Sequence, residues 1–369
     1  MPFPLTRRRL LAASSAAVAS LALPGAAYAA ATDKRFVFVI QRGAADGLAI
    51  LQPHGDRAAR DLRAAFIDDD AHDVDGFFKL HPALPETARM FANGEARAWP
   101  AVAPSYRSRS HFDAQNVLES GGPAPYALHS GWIGRLLPLL PGSAGPLAMA
   151  PTVPLTLRGD LPVATYNNRR VSDPSDDLLE RLSTLYAEDD QLAPLWDEAM
   201  RTRMLASDIG AGGGRNGEEL GTIAAQLLSA PQGPRVVMLE TGGWDTHQGQ
   251  NARLRTQLRG LDGLLSALRT GLGAHWQDTL VLVATEFGRT AAINGTGGTD
   301  HGTASAAFLL GGGLGSGAKV QAEWPGLARD RLYQGRDLAP TGDLLELAAS
   351  SVADHFGIDR GRAMAALRG

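Results

Sequence analysis

Arg235-Val236-Val237-Met238-Leu239 runs straight into Glu240-Thr241-Gly242-Gly243-Trp244-Asp245-Thr246-His247, and this junction decides the fold. A short apolar run reads as a buried strand, and the glycine pair after it reads as the loop that ends it. The same grammar recurs twice. Phe36-Val37-Phe38-Val39-Ile40 leads into Gln41-Arg42-Gly43-Ala44-Ala45-Asp46-Gly47, and Thr279-Leu280-Val281-Leu282-Val283-Ala284 leads into Thr285-Glu286-Phe287-Gly288-Arg289. Residues 97–102 and 304–310 read as further strands, with weaker strand-like pieces at 147–150 and 162–165. Helical spacing covers 82–93, 132–140, 176–207, 218–228, 251–272 and 341–356, and 210–214 reads as a glycine-rich joint. In 251–272, Leu254, Leu258, Leu261, Leu265 and Leu268 share one face. Wholly apolar strands alternating with helices predict an α/β fold: a three-layer sandwich around a mostly parallel central sheet.

Composition narrows the chemistry. The chain has 369 residues, 20% charged and 44% hydrophobic, which is globular usage and excludes collagen, coiled coil and wholesale disorder. Cysteine is absent, so disulfides, thiolate metal sites, iron–sulfur clusters and a Cys nucleophile are excluded. Net charge is −4 and no basic run occurs in the body of the chain, so nucleic acid is not an expected partner.

The first 30 residues read as an address label. Thr6-Arg7-Arg8-Arg9-Leu10-Leu11 is a twin-arginine pattern, a mild apolar stretch follows to Leu23, and Ala27-Tyr28-Ala29 offers a small-x-small cleavage site. An uncleaved anchor or a disordered tail is the other reading. Removing Arg7, Arg8 and Arg9 leaves 32 cations against 39 anions, a net −7. The expectation is a twin-arginine signal peptide over 1–30 and a single domain over 31–369. The mature chain is expected in the periplasm or secreted, without a stable membrane span, after passage through the twin-arginine translocase.

In open α/β sheets ligands collect beyond the carboxyl ends of the strands. Three strand ends here deliver carboxylates: Asp46, Asp245 and Glu286. His247 follows the second, and Gly297-Gly298-Thr299-Asp300-His301-Gly302 stands just before 304–310. Carboxylate and imidazole together suit Zn²⁺, Mn²⁺ or Fe. Each cluster also has a plainer reading. Asp245 to His247 could cap a helix, Asp300-His301 could be a polar turn, Glu286 could pair with Arg289, and Asp46 could be a turn residue. Ser105-Tyr106-Arg107-Ser108-Arg109-Ser110-His111-Phe112-Asp113 adds candidate hydroxyl nucleophiles in Ser108 and Ser110, a base or ligand in His111, and Arg107 and Arg109 to hold an anion. Its plainer reading is a polar loop capping a helix over 112–118.

These motifs in this order resemble a bacterial exported family, known as domain of unknown function 1501, related to sulfatases and alkaline phosphatases. The resemblance rests on Arg42 to Leu48, Ser108 to Asp113, Gly242 to His247, Thr285 to Arg289 and Gly297 to Gly302, and it covers nearly the whole mature chain. It implies a mostly parallel sheet between helices, a metal site at the strand ends, and a hydroxyl nucleophile against phosphate or sulfate esters. By position, Asp245 and His247 match the ligand motif after a middle strand. His301 matches a late His ligand, and Ser110, ahead of Ser108, falls where the nucleophile falls. Two positions depart from the pattern. The first strand ends in Gln41-Arg42, with Asp46 only later, and the usual Asp-His pair has become Glu286-Phe287. The departures imply one ion or none, not a two-metal site.

Two functions follow as expectations. The first is a periplasmic hydrolase of a small anionic phosphate or sulfate ester, dependent on a divalent metal ion (zinc, manganese or similar). Asp245, His247, Glu286, Asp300 and His301, with Asp46, would hold the ion. Ser110 or a water would attack, and Arg42, Arg109 and Arg289 would neutralise the anion. The alternative is a non-catalytic binding or assembly protein on a degenerate scaffold, with a secreted protein as its partner.

Overall fold

The computed structural model describes residues 32–142, 145–166, 217–321 and 323–369, with isolated positions between 186 and 196. The signal peptide read at 1–30, most of the helix read at 176–207 and the joint at 210–214 lie outside the described residues.

The strands are β1 (Arg35–Gln41), β2 (Leu51–Pro53), β3 (His72–Asp73), β4 (Phe78–Leu80), β5 (Ala96–Ala103), β6 (Leu147–Ala148), β7 (Ala164–Thr165), β8 (Val236–Thr241), β9 (Thr279–Ala284), β10 (Ser305–Leu310) and β11 (Gly342–Asp343). The helices are α1 (Gly47–Ile50), α2 (Arg57–Arg63), α3 (Pro85–Ala92), α4 (His111–Ser120), α5 (Trp132–Leu136), α6 (Gly217–Ser229), α7 (Gln250–Leu272), α8 (Leu344–Phe356) and α9 (Arg360–Arg368). Among the described residues eight strands form the main sheet in the order β11-β5-β10-β9-β1-β8-β6-β7, and β2-β4-β3 form a small second sheet.

β1 lies at the centre because it is apolar on both faces. It pairs in parallel with β8 (Phe36 opposite Val236, Ile40 opposite Glu240) and with β9 (Phe36 opposite Leu280, Ile40 opposite Ala284). Alternation sends Phe36, Phe38 and Ile40 to one face, packed with α4, α5, α8 and α9, where the Trp132 ring meets Phe38 edge-on at 5.6 Å. Val37 and Val39 face the other way, toward α3, α6 and α7. The leucine stripe read in α7 is the buried face of that helix. The result is the expected three-layer α/β sandwich. Among the described residues no helix is long and apolar enough to cross a membrane.

One strand runs against the rest. β10 pairs antiparallel with both β9 and β5. Residues 285–304 contain no helix, so the chain does not cross the sheet after β9 and returns from the same edge. The sheet is thus mostly parallel, as expected, with β10 as its antiparallel strand. The reversal explains how a motif placed before a strand reaches the rim where the other strands end.

Candidate metal centre

β1, β5, β8 and β9 end at the rim where β10 begins. Their loops are held together by a nail of buried positive charge. Arg289, 1% exposed, donates from Nε to Ala44 O (2.8 Å), from Nη1 to Thr299 O (3.1 Å), and from Nη2 to Gly43 O (2.9 Å), Trp244 O (3.2 Å) and the Asp245 carboxylate. Gly43 permits this closure. Its φ is +117°, and a Cβ there would stand 2.7 Å from Asp245 N. Gly288 answers a similar demand, since its Cβ would lie 1.8 Å from Ala304 O.

Four side chains converge above the nail. His301 Nε2 lies 3.0 Å from His111 Nε2, 3.0 Å from His247 Nε2 and 3.3 Å from Asp245 Oδ1. His247 Nε2 is 3.0 Å from Asp245 Oδ1, and His111 Nε2 is 3.6 Å from Asp245 Oδ2. His111, Asp245 and His301 alone place one ligand atom each within 4.8 Å of one another, so they could hold a metal ion.

The backs of the rings decide what the fronts can be. His111 Nδ1 meets Glu286 Oε1 at 2.8 Å, His247 Nδ1 meets Asp300 Oδ1 at 3.3 Å, and His301 Nδ1 meets the Arg109 carbonyl at 3.1 Å. Each partner accepts a hydrogen bond and cannot donate one, so each Nδ1 carries the hydrogen. With Nδ1 as the donor, a neutral ring turns its Nε2 lone pair the other way, here toward a neighbouring Nε2 and the Asp245 carboxylate. Lone pairs at 3.0 Å repel unless a cation or a proton lies between them. Two ligands about 2.1 Å from one ion at a tetrahedral angle stand roughly 3.4 Å apart, close to the 3.0, 3.3 and 3.6 Å between the ligand atoms of His111, Asp245 and His301. His111, Asp245 and His301 thus form a donor set that could hold a metal ion, and Glu286 stands behind His111 in the carboxylate–histidine pairing that orients metal-bound imidazoles.

Local electrostatics follow the same geometry. Burial works against the Glu286 charge, but hydrogen bonds from His111, Gln115 and Gly43 hold its carboxyl below the usual range. The bond to Glu286 in turn raises His111, while burial lowers His301. Asp245 is also held low: burial opposes its charge, and Arg289 outweighs burial. Arg109 sits in the left-handed region (φ 61°), a strained conformation that aims its carbonyl at His301. Its guanidinium is clamped on Asp337 at 2.7 Å.

The sequence candidates separate accordingly. The structure brings together Asp245, His247, His301 and His111, with Glu286 and Asp300 behind the rings. Asp46 is elsewhere: it caps α1 and is closed off by Arg63 and Gln250, which corrects its reading as a ligand and leaves the turn reading. The three arginines meant for an anion are already engaged. Arg42 pairs with Glu119 (2.9 Å) and Glu240 (2.6 Å), Arg109 with Asp337, and Arg289 with the loops it nails. Asp245 to His247 do not cap α7, whose N-cap is Gly249. Arg289 pairs with Asp245, not with Glu286. Ser110 precedes α4 as its N-cap without a side-chain hydrogen bond, and Ser108 is exposed. Phe287 stacks on the His111 ring at 4.9 Å.

Sequence reasoning missed the holders of Glu286: Gly43 N (2.9 Å), Gln115 Nε2 (3.1 Å) and Thr285 Oγ1 (3.0 Å). Gln115 carried a usable signal, because it lies four residues after His111 and hence on the same helix face.

No curated protein sequence matches this chain. Solved structures align with it at low identity. The C-terminal periplasmic domain of EcEptC from Escherichia coli aligns at 8% identity over 90% of this chain and 86% of that one, with a TM-score of 0.41. The lipoteichoic acid synthase LtaP from Listeria monocytogenes aligns at 10% identity over 80% and 69%, with a TM-score of 0.40. A protein in the alkaline phosphatase superfamily from Vibrio parahaemolyticus aligns at 12% identity over 75% of this chain and 60% of that one, with a TM-score of 0.39. This chain therefore spans about three fifths of the Vibrio protein. Residues 102–366, which carry His111, Asp245, His247 and His301, match the family described as Protein of unknown function (DUF1501), and the chain belongs to that family.

Proposed function

We propose that the protein is an exported metal-dependent hydrolase of a phosphate or sulfate ester. One observation carries the reading: three imidazoles have their Nδ1 hydrogens committed behind them and turn their Nε2 atoms onto the Asp245 carboxylate. His111, Asp245, His247 and His301 would hold the ion, with Glu286 and Asp300 as positioning residues behind two of the rings. The ion when bound would polarise the ester and lower the pKa of water at neutral pH. The protein's own groups prepare the site. Glu286 and Asp300 fix ring tautomer and direction, Arg289 keeps Asp245 ionised, and the strained Arg109 carbonyl sets His301. Ser110 precedes His111 in the chain and its hydroxyl makes no cap bond; it or a water would supply the attacking oxygen. Export rests on the twin-arginine pattern at Thr6 to Leu11.

The engaged arginines favour a second reading. With Arg42, Arg109 and Arg289 all paired within the protein, none is free to receive an anion, as suits a binding or assembly protein with a secreted partner. Metal analysis and an ester panel separate the two. The hydrolase should purify with stoichiometric divalent metal, lose it in Asp245→Ala, and turn over at least one phosphate or sulfate ester. Metal-free protein whose melting is unmoved by chelator, zinc or manganese would remove the hydrolase. Metal without turnover across the panel, with a partner retained in pull-down by His301→Ala, would establish the second reading.

A further inference from the structure

A cavity of about 620 Å³ opens beside the cluster, between α2, the loop after β9 and residues 327–336. That size lies within the range of small-molecule sites, roughly 300–1,000 Å³. Its lining mixes polar and apolar side chains. Three of the lining residues, Asp300, Asn294 and Arg336, bond to His247 or His301. Asp300 Oδ1 meets His247 Nδ1 at 3.3 Å, Asn294 Nδ2 donates to His247 O at 3.0 Å, and Arg336 Nη2 donates to His301 O at 2.7 Å. Leu62, Ile293, Leu327 and Leu332 supply apolar side chains to the same lining. The charges in the lining cancel, Asp61 and Asp300 against Arg329 and Arg336. Such a lining has no preference for an ionic occupant. What it offers is apolar surface one residue away from the cluster.

We infer that this cavity takes the uncharged, apolar organic group of the ester, so that the substrate class is a phosphate or sulfate ester of an alkyl or aryl alcohol. The inference rests on the hydrolase reading for the charged end of the substrate, but the cavity's preference is measurable without it. Asp300 is the shared wall: it backs His247 on one side and lines the cavity on the other. A ligand with its anionic group at the cluster and its apolar group in the cavity would lie across Asp300.

The test is isothermal titration of the full-length purified protein with two series of equal chain length: butyl, hexyl and octyl phosphonate, which cannot be hydrolysed as esters, and butanol, hexanol and octanol. Both should tighten by about fourfold for each added methylene that is buried. Phosphonates should bind more tightly than alcohols at every length, and that offset should vanish in Asp245→Ala while the chain-length dependence persists. Leu332→Trp, which puts a larger side chain into the lining, should abolish the dependence with metal content unchanged. Leu332→Ala, less demanding on folding, should weaken it. Dependence on chain length in the alcohols with no phosphonate offset would sink the hydrolase reading and support the apolar cavity. Flat affinities in both series, or a dependence that Leu332→Trp and Leu332→Ala leave intact, would overturn the inference whatever the metal content.

Discussion

Replacing Glu286 by glutamine removes one charge and almost no volume, so it tests whether this buried carboxylate acts through His111. In the native protein its Oε1 accepts from His111 Nδ1 at 2.8 Å and from Gly43 N at 2.9 Å. A glutamine carbonyl can accept both bonds, and its amide can take the Oε2 place beside Thr285 Oγ1, which is 3.0 Å away. The fold should therefore survive. What changes is the bond behind the imidazole, from a charged acceptor worth about 1.5–3 kcal/mol to a neutral one worth about 0.5–1.5 kcal/mol. The difference, about 1.4 kcal/mol, is a tenfold loss of metal affinity, the lower end of the roughly 10–100-fold seen when outer partners of metal-bound histidines are removed. With free zinc set at 100 times the wild-type dissociation constant, binding stabilises the wild type by about 2.7 kcal/mol, and a tenfold weaker site by about 1.4 kcal/mol. Chelator-competition titration reads the affinity, and calorimetric melting with and without zinc reads the stabilisation. Wild-type affinity in Glu286→Gln, alongside a large loss in His111→Ala, would refute the role given to Glu286.

Two other substitutions probe different links. Gly43→Ala places a Cβ 2.7 Å from Asp245 N at a φ of +117°; it should cost about 1–3 kcal/mol by calorimetry and weaken zinc binding by displacing Asp245, and unchanged values of both would show that the closure at Gly43 does not position the carboxylate. His355 concerns pH. Burial pushes its pKa down to about 4, and its Nε2 meets Arg35 O at 2.9 Å. Unfolded, it takes a proton below about 6.5; folded, it stays neutral until about 4. This contribution is therefore intact above pH 6.5 and is lost as pH falls toward 4. Relative to His355→Gln, which can keep a donor to Arg35 O, the wild type should lose about 2 kcal/mol in urea unfolding between pH 7.5 and pH 5. Parallel pH profiles for the two proteins would contradict this. His54 and His81 are lowered by burial too, so the variant retains some slope.

Central strands were legible because burial on both faces demands unbroken apolar runs, as in Phe36 to Ile40 and Thr279 to Ala284. Asp245, His247 and His301 were legible because polar groups next to such runs must sit at an edge of the sheet. Strand direction was harder. Nothing in residues 305–310 says antiparallel; the clue is the missing helix between β9 and β10. Partner choice was harder still. Arg42, Arg109 and Arg289 look like anion binders in one dimension, and only the fold brings Glu240, Asp337 and the loop carbonyls to them. Glu286 was misjudged in kind: it stands at the expected place, but its oxygens face His111, Gly43, Gln115 and Thr285.

The reversed β10 also sets a timetable for assembly. His111 emerges early in synthesis, Asp245 and His247 much later, and His301 only once the hairpin-like return after β9 has been made. β1, though first, cannot acquire either neighbour until β8 and β9 exist. A chain halted before residue 301 would lack the histidine that His111, His247 and Asp245 all approach. Ion uptake would then act as a keystone dropped in last, and its appearance in a pair of split fragments would report that the whole arch had closed.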